Sequence, residues 1–316
     1  MLKIHTDEKE LARLADGHFR HLLPKIKARL KKRGARQFQS YFTDQKLEEI
    51  LTCQAADLLV LHKKTMADLQ KKVNSPILEK RLKAIFSHVT FFRKPDNNSQ
   101  YSAFDICEGI ELVTCPYCNL NLVTTIVKTG PRELVLRPPL DHFFPFSKYP
   151  LLALCFYNLV PSCWTCNSSF KLSKDCNTVS HLHPHVDGFG EHFQFTFWGA
   201  NIDDILTDAS TKFEVGLLNK NNDIRYKGNN ELFHLETIYN THKRNARRTL
   251  LLAKKYPTAE IASIKSLAQT SGLEVSELIF NTIVEETQLH ERPFSKINRD
   301  IISQFGSAEL KTELGL

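Results

Sequence analysis

Two Cys-x-x-Cys pairs, Cys115–Cys118 and Cys163–Cys166, are the feature that most constrains how this chain folds. Four thiolates at this spacing are typical of a closed tetrahedral zinc site, so the pairs must meet although a long segment separates them. Asp141-His142 lies inside that segment, and Asn167 directly follows the second pair. Carboxylate and amide oxygens are ligands that Mg²⁺ prefers, which indicates a second, different metal environment.

The size and apolar content of the chain predict a folded protein with about two cores. It has 316 residues, of which 42% are hydrophobic. No apolar run approaches the ~20 residues that span a bilayer, and no apolar signal core follows the acidic N-terminus. We therefore expect a cytoplasmic protein with no membrane association and with reduced thiols.

The positive charge is concentrated near the N-terminus. The formal net charge is +7, and residues 1–40 hold eleven Lys and Arg against four Asp and Glu. A localised basic segment is typical of proteins that bind a phosphate backbone. An ordinary solvated helix face remains the alternative.

Hydrophobic periodicity predicts a helical N-terminal third. Helices are expected over His18–Gly34, with Pro24 in a first turn, over Asp44–Lys71 and over 76–89. The turn-forming stretch 93–102 reads as a linker. We predict three segments: a basic helical region (1–106), a core with the zinc knuckle (107–198), and a small sheet followed by helices (199–316).

The remaining patterns favour short strands and then helices. Residues 107–137 are rich in β-branched side chains and are expected to be extended. Alternation over Phe193–Trp198 predicts one strand of a small antiparallel sheet, with further strands at 212–215 and 223–226. One long helix is expected from Leu232. The predicted fold class is α+β.

The chemical residues together resemble those of the HNH endonucleases with a ββα-metal core. The match consists of Cys115, Cys118, Asp141-His142-x-x-Pro145, Asn158, Cys163-x-x-Cys166-Asn167 and Lys171. It covers less than a fifth of the chain, but its elements come in the family's order. Asn167 replaces the family's last histidine. The resemblance implies a ββα core with structural zinc, in which Asn158 fixes the loop that carries the catalytic base.

Each demand of phosphodiester hydrolysis has a candidate residue. A neutral His142, with an ordinary pKa near ~6.5, can accept the proton of the attacking water. Asp141 and Asn167 are the expected ligands of one catalytic Mg²⁺ or Mn²⁺ ion. Lys171, four residues after Asn167 on one helix, is expected beside the metal and the phosphate.

A looser similarity concerns partners. The segments around Asp141, Asn158 and His183-Pro184 look like those of HNH subunits in bacterial anti-phage systems such as Septu and retron-linked modules. Those subunits pair with an SMC-like or ABC-type ATPase, which implies an ATPase partner in a hetero-oligomer. The basic cluster 243–248 is a candidate contact surface, with a solvated helix face as the alternative.

Two classes of function remain open from the sequence. The first is a metal-dependent endonuclease that cleaves DNA by preference, or RNA. The second is a catalytically inactive, zinc-supported subunit that binds nucleic acid or acts as a scaffold. The histidines at 181, 183 and 185 are interpreted as packing residues because a proline interrupts their alternation.

Overall fold

The computed structural model describes residues 1–5, 7–73, 75–89, 101–126 and 136–316. Its α-helices in chain order are α1 Glu8–Leu30, α2 Asp44–Leu51, α3 Leu58–Gln70, α4 Ser75–Ile85, α5 Ala103–Ile110, α6 Ile202–Thr207, α7 Ile224–Phe233, α8 Leu235–Asn240, α9 Lys243–Lys255, α10 Thr258–Ser271, α11 Val275–Phe280, α12 Ser295–Phe305 and α13 Ala308–Glu313. A π-helix spans Thr165–Lys171, and 3₁₀ turns cover Arg36–Phe38, Pro150–Leu152, Phe156–Asn158 and Glu286–Glu291.

Within the described ranges, the strands form two separate antiparallel pairs. Strand β1 (Leu140–His142) pairs with β2 (Leu159–Pro161), and β3 (Phe193–Trp198) pairs with β4 (Glu214–Asn219). The prediction of a mostly helical α+β protein with small antiparallel sheets is confirmed. No helix in the described part of the chain is long and apolar enough to cross a membrane.

The chain divides into two compact units that each use separated segments. The N-terminal unit comprises Ile4–Leu112 and Val123–Asp187, and the C-terminal unit comprises Met1–Lys3, Val113–Leu122 and Gly188–Leu316. The predicted division is into three consecutive segments, whereas this grouping places the first cysteine pair with the C-terminal helices. The division into three segments stays a prediction.

Helix α1 of the N-terminal unit is longer than expected. The Asp7 side chain accepts from the backbone N–H groups of Lys9 and Glu10 and caps the helix, which begins at Glu8, ten residues before His18. Pro24 therefore lies inside the helix and not in its first turn. Burial of Leu22 and Ile26 on the core face outweighs the one hydrogen bond that proline removes.

The expected helix over Asp44–Lys71 is broken into α2 and α3. At the end of α2, both the backbone N–H and the hydroxyl of Thr52 donate to the carbonyl of Glu48, at 3.0 and 2.8 Å. A local bond of this kind competes with continuation of the helix. The chain then turns and re-enters helix at Leu58, which is fully buried.

The extended structure expected over 107–137 is only partly present. Residues 103–110 form α5, begun by a capping box in which Ser102 and Asp105 satisfy each other's backbone groups. Isolated bridges join Thr114 to Leu122 and Ile126 to Leu136. Residues 127–135 lie outside the described residues, as does most of the predicted linker at 93–102.

In the C-terminal unit, β3 packs against α12. The backbone N–H of Phe195 donates to Asp300 at 2.9 Å, and Asp300 also pairs with the buried Lys296. The strand predicted at 223–226 is instead the start of α7. The single helix expected from Leu232 is interrupted at His234, which adopts a left-handed conformation with φ of 50° and begins α8.

Candidate metal centre and hydrolytic site

The two cysteine pairs form one buried cluster. The sulfur atoms of Cys115, Cys118, Cys163 and Cys166 all lie within 4.8 Å of one another. Tetrahedral zinc with Zn–S bonds of about 2.3 Å places its sulfur ligands roughly 3.8 Å apart, so small side-chain adjustments would close the site. In the described part of the chain, no other group of three or more His, Cys, Asp or Glu side chains is arranged to hold a metal. The cluster could bind a metal such as zinc.

The loop that carries the first pair is fixed by residues of the C-terminal unit. The Tyr239 hydroxyl donates to the carbonyl of Cys118 at 2.7 Å, and the Tyr117 ring stacks on Phe233 with centroids 4.3 Å apart. Asn119 adopts a left-handed conformation with φ of 51°, which turns the chain back after Cys118. These contacts hold the loop by means other than a metal ion.

Asn119 is a supporting residue that the sequence reasoning missed. Its amide nitrogen donates to Thr114 Oγ1 at 2.9 Å and to the carbonyl of Leu289 at 3.0 Å. Its amide oxygen accepts from the backbone N–H of Lys296 at 2.9 Å. Because no residue type or spacing marks these partners, only the position of Asn119 directly after Cys118 could have drawn attention to it.

The second pair leads into the π-helix Thr165–Lys171. The backbone N–H of Cys166 points at the sulfur of Cys163 at 3.4 Å, as in loops that support a thiolate. The backbone N–H of Leu172 donates to the carbonyl of Asn167, an i to i+5 bond of 2.9 Å. Helical segments of this type are rare and occur frequently at functional sites.

Asn158 fixes the connection between strands β1 and β2. Its side-chain oxygen accepts from the backbone N–H of Phe144 at 2.8 Å. Its nitrogen donates to the carbonyls of Phe144 and Leu152, at 3.2 and 2.9 Å. The fully buried Asn158 thus ties together the two segments that border His142, which is the kind of contact expected for it from the resemblance. Its part in catalysis stays a prediction.

His142 lies at the end of β1, opposite Leu159. Its Nε2 atom is 3.0 Å from the carbonyl oxygen of Ala153, and since a carbonyl only accepts, Nε2 carries the proton. Nδ1 of the neutral ring is then the nitrogen with a lone pair. Burial, with smaller contributions from the neighbouring His88 and Lys171, lowers the pKa of His142 to about 3. The ring is therefore neutral near pH 7.

Lys171 lies beside Asp141, the expected metal ligand, and its expected place beside a phosphate stays a prediction. Its ammonium group donates to Asp141 Oδ1 at 3.0 Å and to the carbonyl of His142 at 2.6 Å. Both side chains of the ion pair are buried, with 1% and 2% exposure. Lys171 thus neutralises Asp141 and fastens the π-helix to the end of β1.

The residues expected to hold Mg²⁺ or Mn²⁺ fit that ion in chemistry but only in part in geometry. Asp141 offers a carboxylate, but one of its oxygens already accepts from Lys171. Asn167 is half-buried and lies four residues before Lys171 in the π-helix. Two oxygen ligands suit an ion that keeps several of its waters. Lys171 would have to share Asp141 with the ion.

A second imidazole, not predicted from the sequence, lies beside His142. The rings of His88 and His142 have centroids 4.5 Å apart, and the Phe146 ring stands 4.8 Å from His88 at an angle of 88°. His88 follows α4, far from the cysteine pairs in sequence. No spacing relates it to the HNH-like residues, so only the folded structure identifies it.

Two further histidines, His183 and His185, pack near the hairpin, and the interpretation of the histidines at 181, 183 and 185 as packing residues stays a prediction. His183 lies over the Phe143 ring at 4.0 Å, and His185 approaches the carbonyl of Leu159 at 3.3 Å. Burial lowers the pKa of both rings, so both are neutral.

The chain was compared with known proteins at three levels. No protein-family model matches it, and neither the curated proteins nor the solved structures contain a match. The resemblance to HNH endonucleases therefore depends on the residues and spacings described above.

Proposed function

We propose that this protein is a metal-dependent HNH-type endonuclease that hydrolyses phosphodiester bonds, with His142 as the general base. One observation carries the proposal: the hairpin β1–β2 and the following π-helix present His142 with Nε2 anchored to a carbonyl and Nδ1 as the acceptor. Asp141 and Asn167, the candidate oxygen ligands, come from the same two elements.

In hydrolysis, the side chains of His142 and Asn158 have different roles. Nδ1 of His142 accepts the proton of a water molecule that attacks phosphorus in line with the leaving oxygen. The bond from Nε2 to Ala153 fixes the tautomer and keeps the ring oriented throughout. Asn158 ties the backbone of Phe144, which follows this ring in sequence, to the backbone of Leu152.

The proposed metals have different tasks. Zinc in the cysteine cluster would be structural, because four thiolates leave no open position for a substrate. Asp141 and Asn167 would hold Mg²⁺ or Mn²⁺, which when bound supplies positive charge to the phosphate oxygens and the leaving oxygen.

The substrate proposed is nucleic acid, DNA by preference and RNA as a possible second substrate. Helix α1 and the turn after it leave Lys25, Lys31, Lys32 and Arg33 exposed. Lys27, by contrast, pairs with Asp44 at 2.8 Å, and Arg29 bonds to backbone carbonyls. The exposed group supports backbone binding, which is independent of base sequence.

We further propose that the nuclease is the effector of a bacterial anti-phage complex with an SMC-like or ABC-type ATPase. The support is the looser sequence similarity alone. Co-purification of the full chain with ATPases encoded beside it tests this point. Recovery of the chain without any ATPase from cells that express its genomic neighbours would contradict it.

The enzymatic proposal is tested by cleavage of plasmid DNA, single-stranded DNA and RNA with Mg²⁺ or Mn²⁺, with and without the co-expressed ATPase. Loss of a general base lowers rates by about 10²- to 10⁴-fold, so His142→Ala is expected to be nearly inactive. His192→Ala, at an exposed histidine, is the matched control and is expected to cleave normally. Equal residual cleavage by wild type and His142→Ala would mean that the cleavage comes from a contaminating nuclease.

One observation favours the second candidate, an inactive subunit that binds nucleic acid or acts as a scaffold. Asp141 is already neutralised by the buried Lys171, so a cation gains less from this carboxylate than from an open one. This candidate predicts nucleic-acid binding that is unchanged by Mg²⁺ and by His142→Ala, with no cleavage under any condition.

A further inference from the structure

His88 and Phe146 form, with His142, a cluster of three rings in the N-terminal unit. The planes of the two imidazoles are tilted by 58° at a centroid distance of 4.5 Å, and the Phe146 ring lies 6.3 Å from His142. The two histidines come from different parts of the chain, one after α4 and one on β1. The helical region thus contributes a polar ring directly beside the proposed base.

The backbone that carries His88 is fixed by a basic residue of α1. Arg29 donates through Nη1 to the carbonyls of Ile85 and Ser87, at 2.9 and 2.7 Å. A guanidinium in this place satisfies carbonyls at the C-terminal end of α4 and complements the helix dipole. It also sets the position of the next residue, His88. Arg29 is half-buried, and its bonds to these two carbonyls give it a structural task at the end of α4.

The proximity of the two imidazoles favours a neutral His88 that donates a hydrogen bond. Two imidazolium rings at this distance would repel each other, so at most one can carry charge. Burial also lowers the pKa of His88 below its ordinary value. A neutral imidazole still has one N–H group, and a phosphodiester oxygen accepts such a bond strongly because it is charged.

We propose that His88 is a second catalytic residue, whose imidazole N–H donates to a non-bridging oxygen of the scissile phosphate. This inference rests on the proposed function of His142. In the step concerned, the oxygen of water forms a bond to phosphorus and the bond to the leaving oxygen breaks. The water proton passes to His142 Nδ1, and the leaving oxygen takes a proton from solvent. His88 stays neutral and stabilises the added charge on the phosphate oxygen.

Two substitutions distinguish a hydrogen-bond donor role of His88 from a packing role. His88→Phe keeps a ring against His142 and Phe146 but removes the N–H group, whereas His88→Gln removes the ring but keeps an N–H donor. A catalytic donor predicts that kcat falls in the order wild type, Gln, Phe, with a loss of about 10- to 100-fold for Phe and little change in KM. A packing role predicts the opposite order for the two variants.

The matched control is His21→Phe, because the His21 ring stacks on Tyr101 at the same centroid distance of 4.5 Å. It is expected to cleave as wild type does. Thermal unfolding of each variant shows whether it folds. If His88→Phe does not fold, His88→Gln and His88→Met, which have similar shapes, make the same comparison of donor against non-donor.

The outcomes distinguish this inference from the proposed function. A kcat within threefold of wild type in the non-donor variant, or a larger loss in Gln than in Phe, overturns the role of His88 while His142→Ala remains inactive. If wild type cleaves no nucleic acid in any condition, the proposed function fails and the role of His88 falls with it. A loss confined to the non-donor variants at normal stability supports the inference.

Discussion

The cysteine cluster and the end of strand β1 are both buried polar sites, but their charge is balanced differently. The cluster brings four sulfur atoms within 4.8 Å of one another, and four thiolates at that distance would repel each other without a cation. Asp141, in contrast, already has the ammonium of Lys171 at 3.0 Å. The first site is therefore expected to need a cation in order to be stable, and the second is stable without one.

The largest effect is expected from loss of a thiolate. Replacement of Cys118 or Cys163 by Ser removes one zinc ligand, and a structural zinc ion contributes on the order of 10 kcal/mol to folding. We expect zinc content to fall and the protein to unfold at a much lower temperature, as it also should after chelation. Zinc stoichiometry and thermal unfolding measure this.

Cys53→Ser is the matched control, because Cys53 lies outside the cluster and bonds only weakly to a neighbouring carbonyl. It is expected to retain zinc. Normal zinc content and full stability in Cys118→Ser would contradict a metal-dependent cluster.

The next largest effect is expected at the buried ion pair of Asp141 and Lys171. Lys171→Met removes the ammonium that offsets the buried Asp141 carboxylate, which typically costs about 3–5 kcal/mol. The double variant Asp141→Asn with Lys171→Met carries no buried charge at this site and is expected to recover most of that loss. Urea unfolding measures both free energies.

Equal stability of the single and double variants would mean that Asp141 is not kept charged by Lys171.

The Lys171→Met variant also tests the proposed Mg²⁺ site. If Lys171 competes with Mg²⁺ for Asp141, the single variant should bind Mg²⁺ more tightly than wild type, whereas a carboxylate reserved for the lysine would leave the affinity unchanged.

A third way to satisfy a buried polar group is to keep it neutral, and His18 does so. Its Nε2 atom donates to the carbonyl of Leu154 at 2.8 Å, and burial lowers the pKa to about 4. Since the unfolded ring has a pKa near ~6.5, the unfolded state binds the proton first as pH falls. The stability is therefore complete above that pH and is lost between about 6.5 and 4.

This shift corresponds to about 3 kcal/mol at the acidic end of the window. His18→Gln lacks the titrating ring, so its free energy of unfolding should fall less between pH 7 and pH 4.5. Urea unfolding at the two pH values checks this. An identical pH dependence in the variant would show that His18 is not buried in its neutral form.

The parts of the fold that followed from the sequence are those with a local signal. The spacing of Cys115–Cys118 and Cys163–Cys166 required the two pairs to meet, and the sulfur atoms do meet. Helix α5 begins at a local capping box of Ser102 and Asp105, whereas the β-branched residues after it favoured extended structure over 107–137.

Other features had no signal that a single sequence carries. The burial of Lys171 depends on where the π-helix meets β1, and a lysine four residues after Asn167 fits an exposed position equally well. His88 approaches His142 only because α4 and Arg29 direct it there. These contacts are tertiary, so periodicity and residue spacing could not predict them.

The smallest effects are expected from two buried asparagines, and they sharpen the opening comparison most. Asn119 supports the cysteine loop, and Asn158 supports the chain around His142; each makes three or more bonds that involve the backbone or a neighbouring hydroxyl. Truncation to Ala leaves buried groups unsatisfied, and we expect each variant to lose about 1–3 kcal/mol of stability. Both variants should therefore lose similar stability in urea unfolding.

Their activities should differ, because the two loops do different work. Asn158→Ala loosens the segments beside His142, so its cleavage rate should fall by about 10-fold or more even where the protein is fully folded. Asn119→Ala should lose zinc more readily to a chelator and, while zinc is bound, cleave at nearly the wild-type rate. Equal loss of cleavage in both variants at matched stability would mean that the cysteine loop and the hydrolytic site do not have separate tasks.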